Sequence, residues 1–155
     1  MKIPRVIASV ILKKDNKVML IKEILEDNKE HWIFPGGGVE FGETIEEAAK
    51  REAKEETDLD VKIKEFLGFK EIIRTQFDYH TVIFFFIAES LNNEVRKIKK
   101  VLDAKYFTIE ETKNLSLVDS ARWAIEEISK KGILTYFSRE SEPSCMCEHI
   151  VLRSC

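Results

Sequence analysis

Between Glu40 and Asp58 the chain carries seven glutamates and one aspartate, against only Lys50, Arg51 and Lys54. If this stretch is helical, Glu52, Glu55 and Glu56 fall on one face, because residues three and four apart lie side by side. Two carboxylates about 6 Å apart repel by roughly 3 kcal/mol at an effective dielectric near 20, and by less than about 1 kcal/mol in open water. Any burial of the triplet therefore calls for a counter-charge. Lys50 and Lys54 point to other sides of the helix, and Arg51 is one cation for three anions. Clustered carboxylate oxygens suit a hard divalent ion, Mg²⁺, Mn²⁺ or Ca²⁺, and Mg²⁺ combines one or two protein carboxylates with waters and substrate phosphates. A bare E-x-x-E-E on its own reads first as a solvated acidic face, and a metal site needs further context.

The elements that must position this face follow from local signals. Thr44 followed by Glu47 is a capping box, which starts a helix at Ile45 and runs it to about Thr57, with Glu46 and Glu47 at its positive end. Ahead of it, Trp32 to Gly38 reads WIFPGGG. His31 to Phe34 is a short strand candidate, and Pro35 with the three glycines predicts a sharp loop. Arg5–Lys13 and Val18–Glu23 flank Asp15-Asn16, a hairpin signal. Downstream, Ile63–Arg74 and Thr81–Ala88 (TVIFFFIA) are apolar; the second run suits a central strand covered on both faces. Lys105–Thr108 leads into a second capping box, Thr108 with Glu111, and Asp119 or Ser120 can cap a last helix reaching about Lys130. This irregular alternation predicts an α/β mixed sheet with helices packed on it.

A chain of 155 residues buries enough surface for one core. Residues 1–137 are expected to form one domain, with 138–155 a peripheral or disordered tail. The net charge of −3 argues against a polyanion-binding surface, so bulk nucleic acid is an unlikely partner class on composition. The N-terminus lacks a signal-peptide pattern, and Val82–Ala88 is too short to cross a bilayer, so a cytoplasmic location without membrane attachment is expected. Cys145, Cys147 and Cys155 cluster at the end and cannot staple the domain. Cys145, Cys147 and His149 are soft donors without the spacing of a zinc site. Glu94–Lys100 (EVRKIKK) reads as a solvated loop. The glycine segment offers neither a Walker lysine nor, with Phe41 in place of glycine, a G-x-G-x-x-G fingerprint.

Taken together, Gly37, five residues, Glu43, seven residues, and then Arg51-Glu52-Ala53-Lys54-Glu55-Glu56 resembles the Nudix box, G-x5-E-x7-R-E-U-x-E-E-x-G-U, with U an aliphatic residue. The lead-in WIFPGGG resembles the usual one. This chain departs from the box at Asp58, where the pattern has glycine, and at Ala53, a small aliphatic position. Aspartate tolerates left-handed backbone better than most residues, so Asp58 can still end the helix.

The resemblance implies a Nudix-type mixed β-sheet sandwiched between helices (α/β/α). It also implies a hydrolase that uses Mg²⁺, with Mn²⁺ possible, on a nucleoside diphosphate linked to another group. Carried over residue by residue, Glu52, Glu55 and Glu56 with the Gly36 carbonyl would hold the metal. Glu52, Glu55 and Arg51 would be catalytic, Glu52 as the base for the attacking water. Glu43 and Arg51 would support the glutamates, with Glu40 behind them; Glu94 and Asp103 are later acids to test as bases.

Small size leans towards a MutT-type (d)NTP substrate. ADP-ribose, a dinucleoside polyphosphate, or nucleotide binding without cleavage are the alternatives. No proline of the ADP-ribose pyrophosphatase kind follows the box, and no NADH-pyrophosphatase run is present. Tyr79 and Asp119 lie near positions that contact substrate in some relatives, though a rim aromatic and a helix cap explain them as well. Trp32, Phe77 and Phe84–Phe86 could stack a base, but core packing is the commoner fate of such aromatics. Monomer and homodimer both remain open.

Overall fold

The computed structural model describes residues 3–92 and 101–130. Strands β1 (Arg5–Lys14) and β2 (Lys17–Ile24) meet at the expected turn, where Asp15 takes φ 54°. They pair only at the tip, Lys13 with Val18 and Lys14 with Lys17. Beyond it they diverge. β1 runs parallel to β6 (Tyr79–Ser90) from Arg5 to Leu12, whereas β2 pairs with β3 (Glu30–Ile33) and β7 (Asp103–Thr108). The edge of β1 that β2 leaves is taken by β4 (Gly36–Gly38), antiparallel through Ile7, Ala8 and Ser9. β5 (Val61–Arg74) completes the sheet on β6, with bulges near Lys64 and Leu67.

The segment predicted as a sharp glycine loop is thus a strand, and none of its glycines adopts positive φ. Its glycines serve close approach: a Cβ at Gly36 would lie 2.5 Å from the Ala8 carbonyl oxygen and 2.7 Å from Ser9 Cα.

Apolar residues on both faces of the central strands create two cores. Ile11, Val18, Leu20, Ile83 and Phe85 pack with Ala121, Ala124 and Ile125 of α3 (Asp119–Ser129). Ala8, Val10, Leu12, Met19, Phe86 and Ala88 pack with Ala48, Ala49 and Ala53 of α1 (Ile45–Thr57). The molecule is therefore an α/β/α sandwich, and TVIFFFIA is its interior strand, as its unbroken apolar run requires. The second capping box yields only one helical turn, α2 (Ile109–Thr112).

α3 is capped differently from the expectation. Val118 is the N-cap without a side-chain bond, while Asp119 is the first helical residue and pairs with Arg74 at 3.3 Å. No helix among the described residues is long and apolar enough to cross a membrane. The basic cluster with Glu94, the boundary at 137/138 and the Cys145–Cys147–His149 group lie outside the described residues.

Candidate active site

Helix α1 is placed by its two ends and by its alanines. Thr44 Oγ1 accepts from the Glu47 amide at 3.2 Å, and the Glu47 carboxylate accepts from the Thr44 amide at 2.7 Å. Asp58 closes the other end in the left-handed region at φ 59°, so aspartate does fill the glycine position of the box. Ala48, Ala49 and Ala53 are fully buried. Side chains this small let the helix axis sit low on β1 and β4, which brings Glu52 and Glu56 against the glycine strand.

Glu56 is 7% exposed and accepts a 2.9 Å hydrogen bond from the Gly36 amide. A Cβ on Gly37 would fall 2.5 Å from the Glu52 carboxylate carbon, so that strand residue must be bare for Glu52 to lie where it does. Burial pushes the Glu56 carboxyl up to about 8; the Gly36 hydrogen bond opposes the rise, and the Glu23 and Glu52 carboxylates add to it. Among the described residues Glu56 makes no ion pair.

Arg51 answers the other carboxylates. Its Nε and Nη2 donate to the two oxygens of Glu43 at 3.1 and 2.7 Å, and its Nη1 donates to Glu52 Oε1 at 2.6 Å. Nη2 also donates to the Gly38 carbonyl at 2.9 Å, tying the helix to β4. Glu55 lies 3.7 Å from Nη1, and Glu40 lies at 4.0 Å, the limit of an ion pair. The Glu43 carboxyl is held below its usual range, first by the Arg51 hydrogen bonds and then by the Glu40 amide. The guanidinium is held protonated, most strongly by Glu43.

The sequence-predicted set is therefore gathered on one helix face against Gly36–Gly38. No three carboxylate, imidazole or thiolate groups converge at metal-ligand spacing among the described residues. The reason is visible: Glu52 leans on Arg51 while Glu56 leans on the Gly36 amide. The donor set still fits a hard cation, being all oxygen and including a buried carboxylate with one amide partner and two acidic neighbours.

Other candidates stand elsewhere. Asp103 pairs with Lys105 at 2.6 Å and accepts from the Ala104 amide at 2.9 Å. Trp32, Phe85 and Phe86 are core, Phe84 is half-buried against Phe66 and Phe69, and Tyr79 packs on the α3-side core. Phe77 is exposed. Sequence reasoning missed Glu23 of β2, an acid near enough to act on Glu56. Nothing in VMLIKE marks it, because only the splaying of β2 from β1 brings it there.

With this geometry in view, known proteins give the same answer. The NUDIX domain model matches residues 2–128, and the chain belongs to the Nudix hydrolase family. It is similar to an ADP-ribose pyrophosphatase of Methanocaldococcus jannaschii, 34% identical over 126 residues, which span 77% of this chain and 75% of that protein. It is also similar to an 8-oxo-dGTP diphosphatase of Proteus vulgaris, 34% identical over 94 residues, 59% of this chain and 81% of that one. Of two longer Nudix hydrolases of Arabidopsis thaliana the chain spans only 39% and 37%. Its fold matches the crystal structure of a MutT Nudix hydrolase from Burkholderia pseudomallei with a TM-score of 0.75 at 24% identity, covering 81% of this chain and 98% of that one.

Proposed function

We propose that the chain hydrolyses a nucleoside diphosphate linked to a second group by attack of water at phosphorus. Glu52, Glu55, Glu56 and the Gly36 carbonyl would hold Mg²⁺, and Mn²⁺ suits the same oxygens. That ion, when bound, polarises phosphoryl oxygens and lowers the pKa of a coordinated water. The observation that carries this reading is Glu56, buried against the glycine strand with no ion pair of its own.

The remaining roles belong to the chain's own side chains. Glu52 is the base assigned to the attacking water, and Arg51 fixes its carboxylate through the 2.6 Å bond. Glu43 holds the Nε–Nη2 edge of the same guanidinium with both oxygens and so sets its direction. Glu55, at the exposed end of the Arg51 cluster, has a side chain 34% exposed and faces the solvent through which a substrate arrives.

Small size alone favoured a (d)NTP. The match to an ADP-ribose pyrophosphatase over about three quarters of both chains moves ADP-ribose to first place. A (d)NTP is the second reading, favoured by the 8-oxo-dGTP diphosphatase match. A panel of ADP-ribose, canonical and oxidised dNTPs, dinucleoside polyphosphates and nucleotide sugars with Mg²⁺ tests both. AMP with ribose 5-phosphate is the expected product pair, and chelation with EDTA should stop its release. Equal rates for wild type and Glu55→Gln on every substrate would remove Glu55 from the mechanism. No release from any member would leave only nucleotide binding.

A further inference from the structure

A second group of reactive side chains shares no hydrogen bond with the carboxylate face. Asp27 Oδ2 lies 2.8 Å from His31 Nε2, and His31 Nδ1 lies 3.0 Å from Ser116 Oγ. These residues come from a turn, from β3 and from the segment before α3, with His31 and Ser116 85 positions apart in the chain. We propose that Asp27, His31 and Ser116 form a nucleophilic relay, with Ser116 Oγ reactive towards small activated acyl esters.

Each member is oriented by a second contact. Asp27 Oδ1 accepts from the Lys29 amide at 3.0 Å, within a turn closed by the Leu25 and Asn28 amides. The His31 hydrogen bond and then the Lys29 amide hold the Asp27 carboxyl below its usual range, so it is an acceptor at neutral pH. An ionised Asp27 accepts a hydrogen bond from Nε2, which leaves Nδ1 as the ring nitrogen facing the Ser116 hydroxyl. Ser116 is held in place because its carbonyl accepts from the Trp32 amide at 2.8 Å and Leu117 bridges Trp32. Ring and hydroxyl also differ in access: the His31 side chain is only 18% exposed, whereas Ser116 is exposed. A nucleophile within reach of a base that a third group orients is the arrangement that activates serine.

The chemistry balances without a co-reactant. Ser116 Oγ bonds to the acyl carbon as its proton passes to His31 Nδ1. The ester C–O bond then breaks, the alcohol or phenol leaves with that proton, and water cleaves the acyl-serine to free acid and serine.

The test uses the full chain with p-nitrophenyl acetate and, separately, a fluorophosphonate followed by peptide mass analysis. Phosphonylation of Ser116 is expected, along with a loss of at least about tenfold in nitrophenol release for Ser116→Ala and His31→Asn, and a smaller loss for Asp27→Asn. Ser116→Ala replaces an exposed hydroxyl and should leave nucleotide hydrolysis unchanged. Absence of label on Ser116 overturns the proposal. So does full ester hydrolysis by Ser116→Ala with loss only in His31→Asn, since the imidazole would then attack directly.

Discussion

Two sets of carboxylates around the same helix are treated in opposite ways. Around Arg51, Glu43 and Glu52 share one guanidinium through three hydrogen bonds of 2.6–3.1 Å, so each has a cation built into the fold. One helical turn further, Glu56 is buried with a single amide partner and carboxylates for neighbours. The first group is a finished structural unit whose cation is built in. The second is left short of positive charge, the feature on which the proposed metal site rests.

That contrast is broken most severely at Glu56. Glu56→Gln should lower diphosphate hydrolysis by about 10²-fold or more, because the neutral amide offers a hard cation no charge. Its metal-free thermal midpoint should nevertheless match or exceed that of wild type, because a carboxyl whose ionised form the fold disfavours is gone. Steady-state rates with Mg²⁺ and a melting curve in EDTA check the two halves; a large fall in the EDTA midpoint would show that Glu56 is structural.

Arg51→Ala attacks the finished unit instead. It strands Glu43 and Glu52 together and frees the Gly38 carbonyl, so both activity and stability should drop, the latter by about 1–3 kcal/mol in chemical denaturation. A loss of activity alone would mean that the cluster is not the structural anchor described.

The pH dependence of stability sharpens the comparison further. Burial pushes the folded Glu56 carboxyl up to about 8, against an ordinary value of 4.5. The folded protein therefore binds more protons than the unfolded chain between these limits. Its contribution is fully present below about pH 4.5 and is lost as pH rises through about 8. Metal-free wild type should lose at most about 5 kcal/mol across that window relative to Glu56→Gln, and Mg²⁺ should remove much of the difference. Parallel pH profiles of unfolding for the two proteins measure it.

The smallest effect on stability is expected at Gly37→Ala. The added methyl meets the movable end of Glu52 rather than backbone, and Gly37 does not occupy a positive φ. The melting temperature should change little, while the Mg²⁺ concentration for half-maximal activity rises several-fold as Glu52 is displaced. Activity titrations over Mg²⁺ give that number directly.

Much of this was legible in the chain. The capping box, the 13-residue helix and the left-handed Asp58 follow from local rules, and α1 begins and ends where those rules place it. The apolar run in β6 announced a covered strand because both of its faces are buried by helices. Local rules failed where long-range pairing decided. Three glycines read as a loop, but the edge of β1 left open by β2 recruits them as a strand. Asp119 read as a cap, but Arg74 from β5 competes for its carboxylate.

The sequence alone determined that Glu52, Glu55 and Glu56 share a helix face, since helical period depends only on spacing. It also determined, through alanines at 48, 49 and 53, that this helix packs closely. Only the tertiary structure decided which acids are already paired and which are not. Pairing depends on what faces each side chain: Arg51 on Glu43 and Glu52, the Gly36 amide and Glu23 on Glu56. The same holds for Asp27, His31 and Ser116, which no spacing connects and which meet because β3 and the segment before α3 run side by side.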